Sequence, residues 1–432
     1  MMTSRQSFLT AVFSAVIAIL PHSPAVAGPA DGLSRQVFVG YQGWYGCPGD
    51  FEGNKDWQYW FPKDKSAAGF IGDVLPSVRS MAPAHLCDTG LPRADGQGTI
   101  KLFSSQDPVV VTTHFQWLAQ AGIDGAAVQR FVFALDDASK KSRMDHLLAN
   151  VMSASAKTGR SFFVVYDITG ASEKTVTAQV RADWKHLVDD LHITKAPGYL
   201  HDNGKPVLEL WGFGLGDRPG SASDVGSLVS ELETGAGGLR PVTLIGGVPT
   251  YWRTLSKDSK TDPAWAQVYR SFDVISPWPV GRYATAAEFD AFRRDLLEPD
   301  IAEAHRAGRR YLPVAFPGYS HSNAARFHGR TVPFNGTPRD CGRFFWHQLA
   351  GISKLHAEGL YVAMFDEVGE GTAIFPIETH SDRVLAGSTV VVANQDGCSL
   401  PDDWYLRVTG AASGFVHDRQ AAPDSIERVI HP

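Results

Sequence analysis

The chain has 432 residues, with 40 lysines and arginines against 46 aspartates and glutamates, for a formal net charge of −6. Acids and bases interleave along it, so there is no basic tract for nucleic acid and no polybasic patch for an anionic membrane, and a neutral ligand is expected. Aromatic residues make up 11% of the chain and 11 of them are Trp, a supply of flat apolar faces on which sugar rings stack, although most must be core in any globular fold.

The first segment carries Arg5, an apolar run over 8–20, Pro21, Pro24 and then Ala25-Val26-Ala27 before Gly28. This is the pattern of a secretory signal peptide, because the run is shorter than the ~20 residues that span a bilayer and the small residues suit signal peptidase. An uncleaved anchor is the competing reading, and the prolines argue against it. The expectation is cleavage after Ala27, export to the periplasm or the extracellular space, and one catalytic domain over 28–432 that acts as a monomer away from the membrane. Export also favours disulfides among Cys47, Cys87, Cys341 and Cys398. Three full pairings are open, with a slight preference for the neighbours Cys47 and Cys87. No Cys-x-x-Cys or His-x-x-x-His spacing supports a metal, and no cofactor is expected; His114 and His347 read as helix residues.

In chain order, apolar runs rich in Val, Ile and aromatics predict strands at 36–43, 125–133, 161–168, 206–212, 241–248, 274–280, 311–316 and 360–365. Most are unbroken instead of alternating, as parallel strands buried on both faces are. Helical patterns fall between them at 108–121, 144–158, 175–191, 222–234, 264–272, 286–307 and 338–358, with a weaker one from Asp402. Glycines at 122, 159, 308 and 359 stop helices just before strands. Eight βα units most simply close into a (β/α)8 TIM-type barrel, an α/β fold, with a long insertion over 47–106 after the first strand. An open doubly wound sheet is the alternative, and its Gly-x-Gly-x-x-Gly turn is missing after the first strand.

In a barrel the carboxyl ends of the strands share one surface, so the residues there form one candidate site. They are Tyr41, Trp44 and Tyr45 after the first strand, Gln129 and Arg130 on the second, Asp167 on the third, and Glu209 and Trp211 on the fourth. Tyr251 and Trp252 follow the fifth, Trp278 the sixth, and Tyr319 and His321 the seventh. Carboxylates, amides and stacking aromatics are what a polyhydroxylated ligand requires. Competing readings exist: Arg130 as a buried ion pair with Asp167 or Glu209, the tryptophans as packing, and Glu209 on either face of its strand. The eighth strand runs into Asp366-Glu-Val-Gly-Glu370, which places Glu367 and Glu370 three residues apart. On a turn this spacing gives about 5–6 Å between Cβ atoms, suited to the ~5–5.5 Å carboxyl separation of retaining glycosidases. The plainer reading is a capping cluster in which Asp366, Glu367 and Glu370 satisfy backbone donors.

Several segments of the chain resemble glycoside hydrolase family 71/99-like proteins. They are Gly40-Tyr-Gln-Gly-Trp-Tyr-Gly46, Gly122-Ile-Asp-Gly125, Gln129-Arg-Phe131, Tyr166-Asp-Ile-Thr169, Ile245-Gly-Gly-Val-Pro-Thr-Tyr-Trp-Arg253 and Phe365-Asp-Glu-Val-Gly-Glu-Gly-Thr372. The last resembles the Asn-Glu-Trp-His-Glu-Gly-Thr signature of family 99, which contains endo-acting α-mannosidases. The resemblance implies that Glu367 deprotonates the 2-hydroxyl of the substrate, which attacks the anomeric carbon to give a 1,2-anhydro sugar. It implies that Glu370 protonates the departing oxygen and later activates water. Asp366, Val368 and Gly369 depart from the signature, and family 71 members cleave α-1,3-glucan, so the sugar stays open. The expected function is an exported glycosidase acting on α-linkages of a polysaccharide or glycan. The alternatives are an inverting hydrolase in which Asp167 or Glu209 activates water, and a non-catalytic carbohydrate-binding protein on the same barrel.

Overall fold

The computed structural model of the protein describes residues 32–355 and 357–431. The leader expected at 1–27 lies outside the described residues. Along the chain run β1 (Val37–Tyr41), the hairpin β2 (Leu86–Pro92) and β3 (Thr99–Phe103), α1 (Pro108–Ala121), β4 (Gly125–Phe131), α2 (Ala138–Thr158), β5 (Ser161–Asp167) and α3 (Val176–Asp189). The middle comprises β6 (His201–Asp202), β7 (Lys205–Trp211), α4 (Ala222–Thr234), β8 (Thr243–Val248), α5 (Ala264–Ser271), β9 (Val274–Pro277), α6 (Ala286–Phe292) and α7 (Glu298–Arg306). Then come β10 (Arg310–Tyr311), β11 (Val314–Ala315), α8 (Ser322–Phe327), α9 (Arg343–Ser353), β12 (Leu360–Val362) and α10 (Trp404–His417).

The central sheet has the order β10-β9-β8-β7-β5-β4-β1-β12-β11, with each pair along it parallel and β6 added antiparallel to β7. Every residue of β1, β4 and β5 is buried, which is why these strands read as continuous apolar runs. Each expected strand overlaps an observed one. The seventh is split: Pro313 has no N–H to give the ladder, so 310–315 pairs with β9 by its first two residues and with β12 by its last two.

Helix boundaries shift for local reasons. α2 starts six residues earlier than its apolar period, because the Asp137 carboxylate accepts from the N–H groups of Ser139 and Lys140 and caps a polar first turn. The helix expected over 286–307 contains a π-type turn at Arg293–Leu297 just ahead of Pro299, whose ring and missing N–H disfavour a regular α turn there. α9 begins only at Arg343, because Cys341 and Gly342 both take positive φ.

Two long segments, 42–107 and 363–403, lie against each other through bridges at Val74–Val391, Pro76–Ile377 and Arg93–Leu385. Disulfides tie them down, Cys47 to Cys87 and Cys341 to Cys398. The first closes a sequence separation of 40 residues. Replacing Cys47 and Cys87 together by Ser is expected to lower unfolding free energy by about 2–4 kcal/mol, as removal of a loop of this size from the cross-linked unfolded state does. The shift of the urea midpoint, read at constant slope, measures it.

Candidate active site

β12 lies between β1 and β11, so the chain leaving it passes directly beside the end of β1. The Asp366 carboxylate accepts from the N–H groups of Gln42 and Gly43, each at 2.8 Å, and staples the two strand ends together. Residues 368–371 then form a turn, closed by Gly371 N–H donating to the Val368 carbonyl and Thr372 N–H donating to the Glu367 carbonyl. Gly371 has φ +62, which only glycine adopts freely. At Gly369 a Cβ would stand 2.5 Å from the Tyr59 hydroxyl and 3.0 Å from Glu367 Oε1, so glycine is required for those two groups to meet.

Glu367 is 4% exposed. Its Oε1 accepts from Gly369 N–H at 2.6 Å, Glu370 N–H at 3.1 Å and the Tyr59 hydroxyl at 3.0 Å. Burial pushes its pKa up, while the side chains of Gln42 and Tyr59 and the two backbone donors hold it down. Glu370 is half-buried. Burial first, then the charges of Glu367 and Asp167, push it up to about 8, with Arg218 opposing. The pair therefore contains one carboxyl surrounded by donors and one surrounded by acids. On balance both are raised, Glu367 against four hydrogen-bond donors that favour its charged form and Glu370 with acid charges that add to its burial, so the two carboxyls sit in different settings, as acid and base roles require.

The pleat decides which other residues reach this mouth, because successive side chains leave a strand on opposite faces. Gln129 pairs in register with Val165, Phe131 with Asp167, Val165 with Glu209 and Asp167 with Trp211. Gln129, Phe131, Asp167, Glu209 and Trp211 consequently share the inner face. Arg130 pairs with Tyr166 on the outer face, and both reach Asp183 of α3: Arg130 Nη2 donates at 2.7 Å and Tyr166 Oη at 2.7 Å, with Asp145 of α2 a second partner of Arg130 at 2.7 Å. Arg130 is thus a buried ion pair with acids other than Asp167 or Glu209, and it does not face the mouth. Tyr41 also faces outward, its hydroxyl 3.0 Å from Nδ1 of His114, whose pKa burial pushes down to about 3. Trp252 is fully buried, donating from Nε1 to Asp300 at 3.0 Å, and Tyr251 accepts from Lys257 of its own loop at 2.8 Å. Tyr45 lies beneath the site turn, donating to the Asp366 carbonyl. His347 pairs with Asp290 on a helix flank.

Aromatic rings flank the acids on two sides. Trp44 stacks between Tyr59 and Phe131, with ring centroids 4.1 and 4.6 Å away, and Trp211 meets Trp278 edge to face at 5.4 Å. Beside Trp44 opens a cavity of about 290 Å³, lined by Gln42, Tyr59, Gln129, Phe131 and Phe133 among others. Buried polar atoms without a hydrogen-bond partner among the described residues gather around the mouth: Gln42 Oε1, Trp44 Nε1, Gln129 Oε1, Glu209 Oε2, Trp211 Nε1 and His321 Nδ1. Tyr319 stacks on His321, and burial first, then the charges of Glu370 and Glu367, raise the Tyr319 pKa, which puts it near the same two acids. Tyr59 and Arg218 were not expected here. Tyr59 sits in a stretch with no periodic signal, and Arg218 in a Gly/Pro-rich loop after β7.

No protein-family model matches the chain, and no curated protein matches it by sequence. Among solved structures, the GH99 endo-alpha-mannosidase from Bacteroides thetaiotaomicron is similar at a TM-score of 0.59, with 15% identity over 90% of this chain and 99% of that one. A second structure of that enzyme, in complex with bis-tris propane, gives a TM-score of 0.58 and 16% identity over 89% and 98%. At this identity the likeness shows the fold: a parallel α/β sheet with helices, of the kind that glycoside hydrolase barrels have.

Proposed function

We propose that the protein is a glycoside hydrolase that cleaves α-glycosidic bonds of a polysaccharide or glycan with retention, using Glu367 and Glu370. The observation that carries this is the opposed setting of the two carboxyls on one turn. In the first step Glu367 takes the proton of the 2-hydroxyl, that oxygen bonds to the anomeric carbon, the glycosidic bond breaks, and Glu370 gives its proton to the departing oxygen. In the second, Glu370 takes a proton from water, the hydroxide opens the three-membered ring at the anomeric carbon, and the 2-oxygen regains its proton from Glu367. Trp211 and Trp278 supply stacking faces for the sugars, and Trp44 Nε1 and Gln129 Oε1 supply hydrogen-bond groups. The sheet is read as a closed (β/α)8 barrel because both ends of its strand order belong to one segment, 310–315. Segment 47–106 is read as an insertion that delivers Tyr59 to Glu367, and the leader pattern as export. Resemblance of the Phe365–Thr372 segment to the family 99 signature and the shared fold support the reading.

Reducing-end release from α-mannans, α-1,3-glucan and other α-glucans tests it. Activity on a manno-configured α-linkage, whose 2-hydroxyl lies opposite the leaving oxygen, abolished by both Glu367→Gln and Glu370→Gln, is expected; cleavage of α-glucan alone, whose 2-hydroxyl is cis to the leaving oxygen, would overturn the 1,2-anhydro route, and a folded protein that binds glycans and releases nothing would be a binding protein instead. An inverting route has one observation in its favour, the Asp167 charge that acts on Glu370. The anomer first formed, read by proton NMR, separates the two.

A further inference from the structure

Glu209 stands in the middle of β7 and is 2% exposed. Its Oε2 meets no hydrogen-bond donor among the described residues. Register puts it one layer deeper than Asp167 and Trp211, at the floor of the mouth. Room for it is made by Gly247 on β8, where a Cβ would stand 2.9 Å from Glu209 Oε1 and 2.4 Å from Trp211 Cδ1. The titratable groups that act on it or feel it are Asp167 from β5 and Tyr361 from β12; Arg218 acts on Asp167. Burial first, then Asp167, push Glu209 up to about 8, which favours the protonated carboxylic acid at neutral pH.

An unpaired acid inside a barrel does not serve packing. An apolar side chain of similar shape holds such a position equally well or better, because no carboxyl is then stripped of water without compensation. Its neighbour supplies the complementary function: Asp167 accepts from Thr169 N–H and presents an acceptor to the same space. A donor acid beside an acceptor acid matches a hydroxyl, which accepts one hydrogen bond and donates another. A site built to bond a hydroxyl in this way rejects rings that lack it or carry it substituted, since the buried groups are then left unpaired.

We propose that Glu209 determines which sugar the site accepts, by donating a hydrogen bond to a hydroxyl of the ring held between Glu370 and Trp211 while Asp167 accepts from that same hydroxyl. The ligand class rests on the glycosidase reading; the unpaired carboxyl does not. Glu209→Leu and Glu209→Gln test it on the mature chain. With the substrate found in the panel, the Leu variant should lose about 10- to 100-fold in kcat/KM, chiefly through KM, and melt at or above the parent temperature. The Gln variant, which keeps a donor, should stay within about fivefold. Parent KM should climb above about pH 8 as the acid ionises, and the Gln variant's KM should stay level there. A Leu variant with parental kcat/KM overturns the inference, and so does one that melts well below the parent. If no glycan is cleaved, the glycosidase reading fails separately. Melting then decides alone, a higher midpoint for Leu favouring a ligand-binding acid and a lower one a structural acid.

Discussion

Glu370→Gln is expected to lower kcat by roughly 10³-fold, within the 10²–10⁴-fold range of a positioned general acid, with the melting temperature unchanged or slightly higher. Stability should not suffer, because the substitution removes a carboxyl that burial and the charges of Glu367 and Asp167 disfavour in its ionised form. The turn itself is held by backbone groups, Glu370 N–H to Glu367 Oε1 and Ser320 N–H to the Glu370 carbonyl, which an amide side chain leaves in place. The loss should depend on the leaving group. An aryl glycoside whose phenolate departs without help should recover most of the rate of the first step, whereas a natural sugar leaving group should not. The parent should show a bell-shaped profile of kcat/KM, falling on the acid side as Glu367 gains a proton and on the alkaline side as Glu370 loses its own. In the Gln variant the part of the alkaline limb that belongs to Glu370 should vanish for the activated substrate, leaving only the fall that ionisation of Glu209 brings through KM. Equal losses for both substrates would remove the acid role from Glu370.

That assignment rests on a motif legible in sequence, two glutamates three apart beyond an apolar strand, yet the chemistry depends on groups that were not legible. Tyr59 arrives from a segment without period, fixed by the Cys47–Cys87 disulfide and by packing of Trp60 on Tyr45 at 4.2 Å between ring centroids. Nothing in local sequence announces a partner 308 positions away. Asp73 is similar: fully buried, it accepts from the N–H groups of Ser322 and Asn323, and its own N–H donates to the Val368 carbonyl, coupling the segment after β11 to the site turn. Strands were legible because burial on both faces writes an unbroken apolar run. The identity of the mouth residues was legible only in part, because a run apolar on both faces carries no alternation to mark which side is inner. Gln129 and Arg130 are adjacent, so the pleat sends them to opposite faces and only one could line the mouth. Register with Asp167 and Trp211 decides that it is Gln129. Asp366 unites the two readings of its cluster, since it serves as a backbone staple while its neighbour Glu367 remains at the mouth.

Arg130→Met is accordingly expected to act on stability and not on substrate. Arg130 is 1% exposed and donates through Nε and Nη2 to Asp183, itself 3% exposed, and through Nη2 to Asp145. Removing the cation leaves the Asp183 carboxylate buried with the Tyr166 hydroxyl as its remaining side-chain partner, and breaking such a pair from one side costs about 3–5 kcal/mol. Asp145 keeps Lys141 and His186 and loses less. Thermal or urea unfolding measures the loss, and kcat/KM well below the melting temperature should remain within about threefold of the parent. A pH series adds an independent check. Burial pushes Asp145 up, but the Arg130 charge and the hydrogen bonds of His186, Arg130 and Lys141 outweigh it and hold its carboxyl below the ordinary range. A depressed carboxyl contributes stability that is present above its unfolded pKa, near 3.9, and lost as pH falls through its folded value. The parent should therefore lose this contribution in acid, the Met variant, in which Asp145 keeps Lys141 and His186 but not the Arg130 charge, should have less of it to lose, and the gap between them should narrow below about pH 4. A Met variant that melts with the parent but shows a strongly raised KM would return Arg130 to the substrate and would require β4 to present a different face to the mouth.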